Sequence, residues 1–380
     1  MPESANSGED GLPGRGVRPG RIVFLSLLAA AAGYYLASGA IDRLWRDGAG
    51  VAREFEIMRT QARIAIPADS GSGLAPSELA DLAEKAIREV DALMSPRGEH
   101  SDIRRLNSAP AGTWVEVNPL TWEVVMEALR WHRLSGGAFD PTIGPVKRLF
   151  NFNQAETEDW PEESELAEAR SRVGAEKLLF DREGMRLAWK VDGMSLDLGA
   201  IAKGFAVDRA AAALIARGVR NAIVDVGGEL RLMGKKPGSP PSPWRTGVKH
   251  PRRKDILETL ELSDAAVATS GDYENFLIFR GKRYEHIIDP RSGLPLAERT
   301  ACVTVIHPDS CRDADALATT LCVLGPEEAG DFLESQALGL FSRGVRVIAI
   351  SLDRDGGLLK SEFTIDQAGR FQASRSRLPE

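Results

Sequence analysis

Apolar positions along this chain recur with two different periods, and the switches between them mark out its elements. From 77 to 94 they fall at helical spacing, with Leu79, Leu82, Ala83, Ala86, Ile87, Val90 and Leu93 on one stripe, which predicts an amphipathic helix. A second helix is predicted over 119–134, where Asn118 is the cap, Pro119 takes the first position and Gly136-Gly137 ends it. A third is predicted over 200–217, with Gly218 as its stop signal. Residues 156–172 are acidic and weakly patterned, and read as a surface helix behind a loop. Extended, apolar or alternating runs at 55–67, 191–198, 222–226, 229–233 and 300–306 predict strands, and 345–372 predicts two or three more. Four prolines mark 235–243 as an exposed loop, and 373–380 is expected to fray. Helices and strands alternate irregularly with several hairpin-like pairs. That predicts an α+β fold of mixed or antiparallel sheets packed with helices, rather than a doubly wound parallel sheet.

One apolar run is of another kind. Residues 22–41 are twenty uncharged positions in a row, which at about 1.5 Å each span roughly 30 Å, the thickness of a bilayer core. The stretch 21–41 is therefore expected to be a transmembrane signal anchor. Arg15, Arg18 and Arg21 precede it, whereas Arg43 and Arg46 beyond it are balanced by Asp42 and Asp47, so the N-terminus is expected in the cytoplasm. A cleaved signal peptide is the rival reading, because Ser38-Gly39-Ala40 offers small residues for cleavage. Residues 1–20, rich in Gly, Pro and Ser, read as a disordered tail, 42–54 as a linker and 55–372 as the folded domain.

Of the 380 residues 43% are apolar, ample for a sizeable core. A net charge of −7 without a long basic run excludes nucleic acid as partner, because backbone binding needs clustered Lys and Arg. Three cysteines are an odd number for a disulfide framework. Cys302 and Cys322 read as small core residues, and a Cys302 to Cys311 pair stays open.

Two stretches carry most of the candidate chemistry. In Met194-Ser195-Leu196-Asp197-Leu198-Gly199-Ala200-Ile201-Ala202-Lys203-Gly204, an extended run turns at Gly199 into a helix, which puts Lys203 in the first turn. The dipole disfavours a cation there unless an anion sits beside it, and a phosphate is the obvious one. In Asp313-Ala314-Asp315-Ala316-Leu317-Ala318-Thr319-Thr320, Asp313 is a good N-cap, and Asp315 and Thr319, four apart, share a face suited to a hard cation such as Mg²⁺. Capping and dipole effects explain an early-helix Asp equally well. The spacing around Gly199 and Gly204 fits neither the dinucleotide fingerprint nor the P-loop. No two of the five histidines are four apart. His286 stands out because it leads through Ile287-Ile288-Asp289 into a Pro and Gly turn, the kind of rim where catalytic groups sit. Ala138-Phe139-Asp140, held extended by Pro141, is either a plain turn or part of a site.

These stretches, with Gly136-Gly137-Ala138-Phe139-Asp140-Pro141-Thr142, Val226-Gly227-Gly228-Glu229, Thr269-Ser270-Gly271-Asp272-Tyr273 and His286-Ile287-Ile288-Asp289-Pro290, resemble the ApbE-like FAD:protein FMN transferases. Six motifs in order are far more specific than any one, and the likeness covers roughly residues 55–337. The resemblance implies an enzyme that splits FAD and attaches FMN, through a phosphoester, to a Ser or Thr hydroxyl of an acceptor protein, releasing AMP. It implies that Met58, Ala138, Phe139, Asp140, Asp197, Lys203 and His286 contact FAD, and that His286 acts on the acceptor hydroxyl. Ala200, through its carbonyl, Asp315 and Thr319 match the Mg²⁺ positions. The implied acceptor is an extracytoplasmic domain of an electron-transfer membrane protein, with this chain's catalytic domain on the same, periplasmic, side of the inner membrane. Two positions depart from the pattern: Arg97 replaces an aromatic residue after Met94-Ser95, and Arg59 replaces the glycine after Met58. An FAD pyrophosphatase, or a tethered flavin-binding module without chemistry, are the alternative readings.

Overall fold

The computed structural model describes residues 50–152, 156–272, 275–297, 300–336, 344–353 and 355–378. The expected tail at 1–20, the span at 21–41 and most of the linker lie outside the described residues, among which no helix is long and apolar enough to cross a membrane. In chain order the elements begin with β1 (Gly50–Ile57), β2 (Thr60–Pro67), α1 (Pro76–Met94), α2 (Asp102–Asn107), β3 (Val115–Glu116), α3 (Pro119–Leu134) and α4 (Gly144–Lys147). There follow β4 (Glu156–Thr157), α5 (Glu163–Ser171), β5 (Leu178–Asp181), β6 (Arg186–Trp189), α6 (Ala202–Ile215), β7 (Ala222–Val226) and β8 (Glu229–Met233). The chain continues through β9 (Trp244–Lys249), β10 (Ile256–Leu262), β11 (Ala265–Gly271), β12 (Phe276–Phe279), β13 (Lys282–Asp289), β14 (Leu294–Ala297) and β15 (Thr300–His307). It closes with α7 (Cys311–Gln336), β16 (Val345–Leu352), β17 (Leu358–Ile365) and β18 (Phe371–Arg377). Gly325, at φ 74° and followed by Pro326, breaks α7 into two helical pieces.

A nine-stranded sheet in the order β1-β2-β7-β8-β11-β15-β16-β17-β18 is the frame, and its pairings are antiparallel. Helices α1, α6 and α7 bury their apolar stripes on one face, where Ile64, Ile66, Leu79, Ile87, Phe205, Leu214, Leu317 and Leu321 form the main core. At about 1.5–3 kcal/mol for each large side chain buried, this core dominates the stability of the domain. The β9–β10 hairpin covers the other face, packing Trp244, Val248 and Leu260 on Ile223, Leu232, Val267 and Ile348. A smaller sheet, β14-β13-β12-β4, is mixed because β4 runs parallel to β12, and it packs on α4 and α5 through Val146, Phe150, Leu166, Leu277 and Ile288. A third sheet is β3-β6-β5. Mixed and antiparallel sheets packed with helices are therefore what the chain forms.

Several expectations need correction. Residues 191–198 form no strand: Asn107 exchanges two hydrogen bonds with the Leu196 backbone, at 2.8 and 2.9 Å, and the Asp197 N–H donates to the Pro141 carbonyl at 2.8 Å. Those partners replace a sheet ladder. The third helix is shorter than 200–217, although Gly218, at φ 78°, ends it as expected. The first described strand begins at Gly50, within the stretch expected as a linker, and Phe371–Arg377 pairs with β17 instead of fraying. Asp313 is not the N-cap. The helix starts at Cys311, where Asp208 of α6 accepts hydrogen bonds from the backbone of Cys311 at 2.8 Å and of Arg312 at 3.0 Å. All three cysteines are buried and free, so no Cys302 to Cys311 bridge forms.

Candidate active site

Helices α6 and α7 cross at Gly204, whose lack of a side chain permits the contact: a Cβ there would lie 2.3 Å from the Cys311 carbonyl oxygen. The Gly204 N–H donates to Asp315 Oδ2 at 3.1 Å, tying the first turn of α6 to the first turns of α7. Lys203, beside it, forms an ion pair with Glu229 at the start of β8. The anion that a first-turn lysine calls for is thus supplied by the chain itself. Asp315 and Glu229 are both 2% exposed. Burial pushes the Glu229 carboxyl up to about 8, with Lys203 pulling against it and Asp315 pushing with it. Burial also raises Asp315, while Lys203 and the Gly204 N–H oppose the rise. Glu229 Oε2 is buried without a hydrogen-bond partner among the described residues. Two buried carboxylates beside one lysine, with an orphaned oxygen, form a place where a hard divalent cation would be favoured. Thr319 Oγ1 shares a 3.0 Å hydrogen bond with Ser270 Oγ, which brings the Thr269-Ser270-Gly271 motif to the same helix face. Among the described residues no three His, Cys, Asp or Glu side chains converge as a metal cluster. Asp315 and Thr319 lie in the first turns of α7, and Ala200 lies in the turn that leads into α6.

Asp197 stands on that same turn. Its carboxylate meets Lys147 Nζ at 2.8 Å and the Gly199 N–H at 2.9 Å. Burial alone would raise its pKa, but the charge and hydrogen bond of Lys147, with the Gly199 N–H, hold it below the usual range. His286, on β13, is half-buried. Its Nδ1 lies 3.2 Å from the Asn275 carbonyl oxygen, which also accepts the His286 backbone N–H at 3.1 Å. A carbonyl can only accept, so Nδ1 carries the proton and the Nε2 lone pair is left for other work. Burial first, then Lys147 and Lys203, lower the His286 pKa to about 4, against a smaller pull from Asp197. Lys147, Lys203, Asp197 and His286 therefore share one electrostatic neighbourhood.

The Ala138-Phe139-Asp140 segment is tied to the Asp197 turn through the Pro141 carbonyl, which accepts the Asp197 N–H at 2.8 Å. Ala138 and Phe139 are buried, and the Phe139 N–H donates to Ser135 Oγ at 2.9 Å. Asp140 Oδ1 accepts from the Thr142 N–H at 2.8 Å and hydroxyl at 2.6 Å, with His132 Nδ1 3.5 Å from Oδ2. Burial raises this carboxyl despite those contacts. Asp140 also lines a cleft of about 560 Å³ whose walls include His132, Arg170, Glu176 and Arg291. Lys203, Glu229 and Asp315 do not line that cleft. Met58, at φ 49°, sits in the β1–β2 turn beside the Gly227-Gly228 turn. The Gly227 N–H donates to the Gln61 carbonyl at 2.9 Å, and a Cβ on Gly227 would meet Thr60 at 2.6 Å. Arg97 is exposed in the turn after α1.

Two functional-looking residues escaped the sequence reading. Glu229 follows a Gly-Gly pair that reads as a backbone turn, and Lys147 belongs to no motif at all.

The family signature of ApbE matches residues 58–341. A curated relative from Vibrio cholerae, an FAD:protein FMN transferase, is 38% identical over 247 residues, covering 64% of this chain and 72% of the relative. Another FAD:protein FMN transferase, from Haemophilus influenzae, is 33% identical over 281 residues, covering 72% and 80%. Among solved structures, the flavin transferase ApbE from Vibrio cholerae superposes with a TM-score of 0.72 at 32% identity, covering 85% of this chain and 99% of that one. The ApbE protein from Thermotoga maritima gives 0.70 at 30% identity, covering 81% and 96%. The family signature spans most of the chain and the curated and solved relatives match it over most of their own length, so the chain belongs to the ApbE family.

Proposed function

We propose that this chain is a Mg²⁺-dependent FAD:protein FMN transferase, which moves the FMN half of FAD to a Thr or Ser hydroxyl of an acceptor protein and releases AMP. The observation that carries the reading is His286, its Nδ1 held by the Asn275 carbonyl and its imidazole kept neutral by burial and the charges of Lys147 and Lys203, the second of which pairs with buried Glu229. His286 Nε2 takes the acceptor's hydroxyl proton. The hydroxyl oxygen forms a bond to the FMN-side phosphorus, and the bond from that phosphorus to the bridging oxygen breaks, with AMP as leaving group. Lys203 and the N-terminus of α6 face the pyrophosphate with positive potential. Asp315, Thr319 and the Ala200 carbonyl would hold Mg²⁺, which when bound supplies charge neutralisation to the pyrophosphate. Met58, Ala138, Phe139 and Asp140 would line the flavin nucleotide, and Asp197 would orient it together with the Gly199 turn.

The run of apolar residues at 22–41 supports a single-pass inner-membrane anchor with the catalytic domain outside the cytoplasm. The acceptor is then an extracytoplasmic protein domain. A mass spectrum of a Ser/Thr acceptor domain, after incubation with the full-length chain, FAD and Mg²⁺, tests the whole reading. A magnesium-dependent gain of one FMN phosphoester is expected, and Asp315→Ala should lower the rate roughly 10²-fold or more. FAD cleaved to FMN and AMP with an unmodified acceptor would instead mark a pyrophosphatase. Full activity of Asp315→Ala would remove that residue from the cation site.

A further inference from the structure

Gly144 lets the short helix α4 lie directly on the segment before the α6 turn: a Cβ there would fall 2.2 Å from Ser195 Oγ. Arg148 donates to that same hydroxyl, and the Pro141 carbonyl accepts the Asp197 N–H at 2.8 Å. The strap 141–148 is thereby fixed against 195–197, and Lys147, the last residue of α4, projects over the Leu198-Gly199-Ala200 turn. Its Nζ lies 2.8 Å from Asp197 Oδ2. A Cβ on Gly199 would stand 3.7 Å from that nitrogen and 2.9 Å from Asp197 Oδ1, so glycine keeps the space beside the ammonium open.

We propose that Lys147 is a second FAD-binding cation of this site, its ammonium bridging Asp197 and a pyrophosphate oxygen while Lys203 serves from the α6 turn; this rests on the functional reading above.

Four features support it. An ammonium has three donors, and Asp197 is the one ion-pair partner of Lys147 among the described residues, which leaves donors to spare. The pair is open, with side-chain exposures of 32% and 27%, so it can admit a ligand oxygen. Asp197 keeps the Gly199 N–H at 2.9 Å and is not orphaned if the ammonium tilts toward a phosphate. Lys147 and Lys203 both act on His286, which places two cations around one imidazole with Asp197 as the counter-charge there. Two ammonium groups beside the N-terminus of α6 offer donors to a polyanion. A half-buried Lys–Asp pair open to solvent adds little to folding, so a purely structural role would leave little trace when it is removed.

The test is a flavin-fluorescence titration of the full-length chain with FAD and, separately, with riboflavin, which has the same ring system and no phosphate, both in EDTA. Lys147→Met should weaken FAD about tenfold or more and leave riboflavin unchanged, and Lys147→Arg should restore most of the loss. Unchanged FAD affinity in Lys147→Met, or equal losses for FAD and riboflavin, would overturn the proposal and leave Lys147 as an ordinary partner of Asp197. Wild-type protein that fails to bind FAD would overturn the functional reading along with it, so the two failures are told apart by the wild-type titration.

Discussion

Met58 and Arg59 form a two-residue turn between paired Ile57 and Thr60, and both have positive φ, 49° and 62°. That turn geometry favours Asn-Gly, because a side chain in the left-handed region costs about 1–2 kcal/mol. Arg59 is exposed in its turn, so the strain there has no compensating burial. Arg59→Gly is expected to stabilise the domain by about 0.5–1 kcal/mol, after the extra freedom of glycine in the unfolded chain is deducted, and urea unfolding would show it as a raised midpoint. An unchanged or lowered midpoint would mean that the guanidinium makes contacts worth the strain. The departure of Arg59 from the family pattern was legible in the sequence, but its energetic sense was not, because the sign depends on φ. Glu229 shows the same limit from the other side. A glutamate after Gly-Gly at the start of a strand looks like a surface residue, and only the fold buries it against Lys203.

At the scale of elements, α7 depends on α6. Asp208 accepts from the Cys311 and Arg312 backbones and from the Ser310 hydroxyl at 3.1 Å, which satisfies N–H groups at the start of a helix that carries Asp315 and Thr319 within its next two turns. Asp208→Ala should destabilise the protein by about 2 kcal/mol in chemical unfolding and also diminish the rise in melting temperature that the proposed Mg²⁺ site would give. A loss of stability with the Mg²⁺ response intact would show that the cap serves folding alone. Elements with local punctuation were readable. The helix Pro119–Leu134 matches its expected bounds because Asn118 caps the Leu120 N–H at 2.9 Å and Gly136 and Gly137 take positive φ at its end. The segment 191–198 misled for a physical reason: Met194, Leu196 and Leu198 alternate because they are buried, and alternation reports burial on one side of an extended chain, not a ladder partner. Asn107 supplies that partner from a distant helix, which no local pattern announces.

Taken whole, the proposed site draws on three parts of the molecule: the β1–β2 and β7–β8 turns of the large sheet, the starts of α6 and α7, and β13 of the small sheet. The sequence named most of the participants through their motifs, yet which of them share a charge environment is a property of the sheet order β2-β7-β8-β11, which places segments far apart in the chain side by side. Lys147 was invisible for a different reason: its meaning comes from Asp197, against whose segment the strap 141–148 is set, and from His286 on the small sheet. The clearest consequence at this scale is a pH profile. Burial, Lys147 and Lys203 hold the His286 pKa at about 4, below its ordinary 6.5, so the folded enzyme keeps the imidazole neutral and able to accept a proton throughout the range between those values. In kcat/KM, which reports the free enzyme, the acid limb of FMN transfer should therefore fall near pH 4. In kcat the bound pyrophosphate brings negative charge toward the same imidazole, favours the imidazolium and moves the limb upward. Lys147→Met removes one of the two repelling cations and should raise the kcat/KM limb as well. The linked stability has the matching sign: because the folded state resists protonating His286, this residue's contribution is present above pH 6.5 and is lost as pH falls through about 4. A kcat/KM limb at pH 6.5 that does not respond to Lys147→Met would mean that the proton is taken by another group, or that His286 works outside the field of the two lysines.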